Sequence, residues 1–261
     1  MRSLDIAGTG MQAQQTNVEV ISNNIANMTT TGFKRRRAEF QDLIYQNLRR
    51  VGSSSSDTGS VVPAGAQVGL GVRTAAIYRI GEQGNLQQTS NSLDVAIQGN
   101  GFFQVTLPSG ETAYTRDGTF GLSPDGTIVT ADGYVVLPAV TVPSNARDIT
   151  INSAGQVQVT IDGQTAPQTV GTLQLAVFPN EAGLDAQGQN LLLQTAASGG
   201  AVTGNPAAPG FGSMMQGFTE TSNVNVVTEI TNLITAQRAY EMNSRVITTS
   251  DQMLSTLTNL R

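Results

Sequence analysis

Residues 221–260 read TSNVNVVTEITNLITAQRAYEMNSRVITTSDQMLSTLTNL. Val226, Leu233, Tyr240, Ile247 and Leu254 recur every seven residues, and Ala239, Val246, Met253 and Leu260 form a second column with the same spacing. Adjacent positions lie about 100° apart around a helix, so the two columns make one wide apolar arc. A single partner helix covers only part of it. Neither Gly nor Pro occurs in 218–261, and nothing there interrupts a long helix. Ser222, Asn223 and Asn225 are candidate N-caps, and Glu229 suits the first turn.

The other end of the chain carries a matching pattern. Leu4, Ala7, Met11, Gln14, Val18, Ile21, Ile25 and Met28 alternate steps of three and four, and all but Gln14 are apolar. That is the seam of a coiled coil. Gly8 and Gly10 each cost about 1 kcal/mol relative to Ala, so the first turns are either loose or closely packed. Thr29, Thr30 and Thr31 weaken the helix and Gly32 offers a left-handed stop, which predicts a helix over 4–30. The two terminal helices are expected to pair as a stalk whose outer faces pack on other copies. An exposed apolar face of this size does not persist on a soluble monomer.

The middle reads as β-structure. All nine prolines fall within 63–209. RTAAIYRI, SLDVAIQG, GFFQVTLP, GTIVTADGYVVLP, ITINSAGQVQVTI and GTLQLAVFP have strand chemistry and strand length. Asp-Gly recurs at 117–118, 125–126, 132–133 and 162–163, a dipeptide that favours hairpin turns. Residues 51–72, VGSSSSDTGSVVPAGAQVGLGV, have the composition of a linker or extended loop. The expected fold class is α+β: long N- and C-terminal helices in a coiled-coil-like stalk, with an inserted, mainly antiparallel β domain. The expected divisions are a discontinuous helical part, 1–33 with 223–261; a basic segment and linker, 34–75; and the β domain, 76–222.

Composition narrows the chemistry. The 261 residues include no Cys, His or Trp, carry a net charge of −5, and are only 13% charged, against about 25% in ordinary domains. Disulfides, thiolate nucleophiles, imidazole bases and metal sites built on cysteine or histidine are excluded. Asp117, Asp125 and Asp132 each precede Gly at hairpin spacing, without a D-x-D-x-D loop, and read as turn residues. GNGFF at 99–103 holds Gly-x-Gly between two strands with no helix following, so it reads as a close backbone approach, not a nucleotide fingerprint. No catalytic, cofactor-binding or metal residues are expected. Four consecutive basic residues at 34–37 sit in an acidic chain with no aromatic platform nearby, which favours a solvated or interface charge run over nucleic-acid binding. The first 50 residues hold seven basic against four acidic groups, and the rest seven against fifteen, so copies attract through a basic entry segment and an acidic body. No apolar run approaches the ~18 residues that span a bilayer. The start lacks the apolar core of a secretory signal. Membrane insertion is not expected, and export, if any, would retain the N-terminus.

Four stretches resemble the flagellar basal-body rod and hook protein family. SNNIANMTTTGFKR (22–35) is similar to its N-terminal signature and 221–260 to its C-terminal one, while LDVAIQGNGFFQV (93–105) and YTRDGTF (114–120) resemble its shared β domain. The signature falls here on Asn23, Asn24, Asn27, Gly32, Phe33, Ser222, Asn223, Arg238 and Tyr240. The length and PAGAQVGLGV at 63–72 point to the distal-rod branch; hook proteins are longer, and the Arg-heavy run at 34–37 is a departure. The resemblance implies a structural, cofactor-free subunit of a hollow helical shaft that passes torque to the hook and conducts exported subunits. The helices would form its inner wall and the β domains its outer layer. Assembly would run through Leu4, Ala7, Met11, Val18, Ile21, Ile25 and Met28, and through Val226, Ile230, Leu233, Tyr240, Val246, Ile247, Met253, Leu254 and Leu260. The implied partners are further copies, proximal rod subunits, hook or hook-rod neighbours, the peptidoglycan and outer-membrane bushing rings, and the flagellar export apparatus. The implied location is the rod crossing the periplasm. The alternatives are a proximal rod or hook subunit of the same family, a coiled-coil-stalked adhesin, and a His-free carbohydrate-active enzyme, which would need a carboxylate pair in a cleft.

Overall fold

A computed structural model of the chain describes residues 2–49, 64–161 and 166–259. Leu260, the Asp162–Gly163 turn and most of the Gly/Ser-rich stretch, 50–63, lie outside the described residues. The chain forms two compact units. One contains Met1–Ile25, Arg36–Tyr78 and Val226–Arg261; the other contains Ala26–Arg35 and Arg79–Asn225.

The first unit holds both helices, α1 (Arg2–Ala26) and α2 (Val226–Asn259). At ~1.5 Å per residue they are about 37 and 51 Å long. They run antiparallel in strict register. Ser3 Oγ lies 3.2 Å from Ser250 Oγ. Gly10 faces Asn243 so closely that a Cβ would stand 2.8 Å from the amide nitrogen. Asn24 Nδ2 donates to Glu229 Oε2 at 3.2 Å. Each step along α1 between these contacts is matched by an equal step back along α2.

Helix α1 stops at Ala26, short of the expected Thr30. Thr30 donates to Asn27 through both its backbone N–H (3.2 Å) and its hydroxyl (3.1 Å), and such local bonds compete with the helical ladder. Met28 therefore sits in a turn and not on a helical seam. Gly32 does take the left-handed conformation, at φ 69°, where a Cβ would come within 2.9 Å of the Arg116 backbone.

Much of the expected connecting segment, 34–75, is strand. Arg36–Asp42 pairs with Val72–Arg79, and Tyr45–Arg49 pairs antiparallel with Ala66–Gly69. In the first of these strands Arg36, Ala38 and Phe40 are half-buried while Arg37, Glu39 and Gln41 are exposed, the period-2 alternation of a strand with one covered face.

The second unit is built on Phe102–Thr106, which pairs with Thr112–Thr115, Val135–Leu137 and Leu175–Val177. Successive residues point to opposite faces. Phe103 enters the larger core with Val95, Ile97, Val136 and Leu175, edge-on to Phe120 at 4.9 Å. Phe102 enters a smaller cluster with Tyr114 and Phe178, themselves edge-on at 4.7 Å. Gly101, at φ 137°, leaves 3.2 Å between a would-be Cβ and Leu175, so GNGFF is a close approach as read. Gly126 and Gly133 close turns onto the Ser123 and Thr130 carbonyls, and Asp117 accepts from the Thr119 N–H and hydroxyl. A three-stranded antiparallel sheet, Ala146–Ile151, Gln156–Ile161 and Gln168–Thr172, belongs to the same unit.

One charged cluster is buried in this unit. Glu220, next to the end of the chain's path toward α2, receives Lys34 Nζ at 2.5 Å and the Gly84 N–H at 2.9 Å on one oxygen, with Arg116 Nε 3.4 Å from the other. Lys34 is thus not part of a solvated charge run. Burial holds its pKa below the ordinary 10.5, opposed by Glu220 and reinforced by Arg116. Breaking a buried pair from one side strands the other charge, so Lys34→Met and Glu220→Gln should each cost about 3 kcal/mol in urea unfolding followed by tyrosine fluorescence. Between the lowered pKa and 10.5 the unfolded chain holds more protons than the folded one. Wild type should therefore gain stability relative to Lys34→Met as pH rises through that window. A pH-independent difference would contradict this.

Candidate assembly surface

The innermost line of the helix pair is not one of the predicted apolar columns. Facing columns are Ser3, Gly10, Asn17 and Asn24 on α1, and Glu229, Ala236, Asn243 and Ser250 on α2, with Asn17 set opposite Ala236 by the register. Ala7, Ala13, Val20 and Ile21 are buried beside this line. Of the predicted α1 set, Ala7 and Ile21 are buried, whereas Leu4, Met11, Val18 and Ile25 are only half-covered. Small and polar side chains let the two backbones approach, and the larger apolar groups are displaced to the flanks.

On α2 the displacement is greater. Val226, Leu233, Ile247 and Leu254 are half-buried, while Ile230, Tyr240, Val246 and Met253 are exposed. Val227, Ile234 and Met242 extend this face, at 75%, 47% and 64% exposure, and were not in the predicted set. Their signal was present in the sequence as apolar residues outside the arc of the two heptad columns. The strands of the same unit add Tyr45, Leu48 and Ile77, and the connections beside them Ile44 (81% exposed) and Leu70. None of these belongs to the predicted set: Ile44, Tyr45 and Leu48 fall in the expected basic segment and linker, Leu70 in its Gly-rich part, and Ile77 in a stretch expected as a strand of the β domain.

The signature asparagines act on backbone. Asn24, almost fully buried, donates to the Arg36 carbonyl and accepts from the Arg36 N–H, both at 2.8 Å. In the other unit Asn223 accepts the Arg35 N–H at 2.7 Å and donates to the Ile80 and Glu82 carbonyls. Asn223 is committed to these bonds and is not an N-cap. Ser222 bonds the Val224 N–H at 3.4 Å, also ahead of the helix. Asn23 is exposed on α1, and Phe33 closes a turn onto the Thr30 carbonyl. Arg238 and Tyr240 are exposed on α2.

Asp117 and Asp132 line one cavity of about 30 Å³ together with Thr115, Thr119 and Gln189. That is room for a water and not for a sugar ring, and Asp117 is already bonded to Thr119 and Asn190. Among the described residues no group of three or more acidic side chains is placed to hold a metal, and no helix is long and apolar enough to cross a membrane.

Comparison with known proteins meets these same regions. Residues 4–34 match the family model described as flagella basal body rod protein, 96–159 the flagellar hook protein FlgE/F/G D1 domain, and 215–260 the flagellar basal body rod FlgEFG protein C-terminal region. The flagellar basal-body rod protein FlgG of Caulobacter vibrioides is 60% identical over all of both chains. That of Agrobacterium fabrum is 54% identical over 98% of this chain and 97% of its own. That of Bacillus subtilis is 39% identical over 100% and 99%. With its helical ends, its β unit and its full length all matched in this way, the chain belongs to the flagellar basal-body rod protein family.

Proposed function

We propose that this chain is a structural subunit, not an enzyme, of the distal part of the flagellar rod. It polymerises into a hollow helical shaft across the periplasm, passes torque toward the hook and leaves a channel for exported subunits. The observation that carries this reading is the apolar face of α2 left uncovered in the single chain, from Val227 through Met242 to Met253. Contacts that repeat without closing a ring build an open filament, and burial on neighbours then supplies what the isolated helix pair lacks. Further copies are the main partner in this reading; proximal rod subunits, hook-side neighbours, the bushing rings and the export apparatus are proposed beside them, with family membership as their support.

Exposed positions give the cleanest test. Ile230→Asp and Val246→Asp alter residues that solvent already reaches, so each should shift the stability of the single chain by no more than about 0.5 kcal/mol. Both should nevertheless abolish rods in isolated basal bodies and abolish swimming. Full-length rods carrying either variant would overturn the helix-wall reading.

The segment 51–72 is proposed to stiffen the shaft by wedging between layers. Support comes from the exposed apolar residues Tyr45 and Leu48 on the strand that precedes it and pairs with its Ala66–Gly69 part. Deleting 51–62 should give curved or flexible rods by electron microscopy. Equally straight rods would refute the wedge.

A further inference from the structure

We infer that the small and polar column between α1 and α2 is a register lock: it admits one axial alignment of the two helices and so fixes how far α2 runs past the start of α1. Two of its layers do this by different means. Gly10 is a notch that receives Asn243, since any Cβ there would stand 2.8 Å from the Asn243 amide. Asn24 presents an amide N–H to Glu229, a buried carboxylate in the first turn of α2, where the helix N-terminus favours negative charge.

Sliding by one heptad removes both layers. In one direction Asn243 comes opposite Asn17 and Glu229 opposite Thr31, beyond the end of α1. In the other direction Asn243 meets Ser3 and Asn24 meets Ser222, ahead of α2. Neither alignment offers the glycine notch to Asn243. The flanking apolar residues repeat with the heptad and tolerate the slip, so they cannot select the alignment; buried polar layers can. In the observed register Arg2 lies level with Asp251, and 252–259 extend past α1. A slip of seven residues changes that overhang by about 10 Å. The consequence for assembly rests on the function proposed above, but the register itself does not.

The chain contains no Cys, so paired cysteines report alignment without background. In the purified full chain, Ser3→Cys/Ser250→Cys should form its disulfide at least about tenfold faster than the slipped pair Ser3→Cys/Leu257→Cys, because the bond requires Cα atoms within ~7 Å. Adding Gly10→Leu and Glu229→Leu should erase this preference. Gly10→Leu alone should weaken the preference, and adding Asn243→Ala to that chain should restore it, by making room for the larger side chain. Equal rates for the two pairs, no disulfide in either, a preference that survives Gly10→Leu with Glu229→Leu, or failure of Asn243→Ala to rescue would each overturn the inference. A chain that keeps the preference while its Ile230→Asp variant still builds rods would instead defeat the assembly reading and leave the register standing.

Discussion

The close approach of α1 and α2 along Ser3, Gly10, Asn17 and Asn24 governs what the rest of the helical unit can do. A conventional coiled coil buries its apolar columns first and leaves polar residues outside. Here the innermost line is polar and small, so the apolar columns are pushed to the flanks and the outer face. The pair gains little from apolar burial along its own axis. Its polar groups must also be satisfied, since an unpaired buried amide or carboxylate costs more than a hydrogen bond returns. Asn24 meets that demand fully, with two bonds to the Arg36 backbone and one to Glu229.

The β unit has the opposite character. Its central strand is covered on both faces, its aromatic residues pack edge-on within the unit, and its buried charges find partners there. The chain thus combines a unit complete in itself with a helical unit that shows its largest apolar groups to solvent. In a polymer subunit that contrast is useful: the complete unit keeps the protomer folded, and the incomplete one keeps it ready to add.

Periodicity made the helices legible, and the confinement of proline and Asp-Gly to the middle made the β-structure legible. The innermost column was not, for a physical reason. A seven-residue repeat says where apolar side chains lie around a helix but not which stripe meets the first partner. On α1 the stripe 4, 11, 18, 25 is apolar, and its neighbour 3, 10, 17, 24 is Ser, Gly, Asn and Asn. A rule that seeks hydrophobic contact selects the former; close backbone approach selects the latter. A sequence signal did exist, in the heptad spacing of Gly10 with Asn17 and Asn24, and of Glu229 with Ala236 and Asn243. The strand at 36–42 was hidden differently. Its alternation is complete, but its covered face begins with an arginine, and four adjacent basic residues drew the reading toward charge.

Asn24 and Asn223 show why these positions call for an amide in particular. Each binds the backbone of one of two consecutive residues, Arg36 and Arg35, at a point where the chain leaves one compact unit for the other. At this crossing the Arg35 carbonyl accepts the Ile80 N–H, whereas the Arg35 N–H and both polar groups of Arg36 are met by side chains, because buried peptide groups must be paired. The carboxamide carries the same donor and acceptor as a peptide, so each asparagine supplies the missing partner from within its own unit. Aspartate keeps the acceptor and loses the donor, which would leave the Arg36 carbonyl unmatched at Asn24 and the Ile80 carbonyl unmatched at Asn223, while the Glu82 carbonyl would keep only Lys34 Nζ. At Asn24 it would also place a second carboxylate beside Glu229. The requirement is set by backbone chemistry at the crossings and not by the side chains of Arg35 and Arg36, which is why a departure in the basic run leaves the signature asparagines with the same work to do.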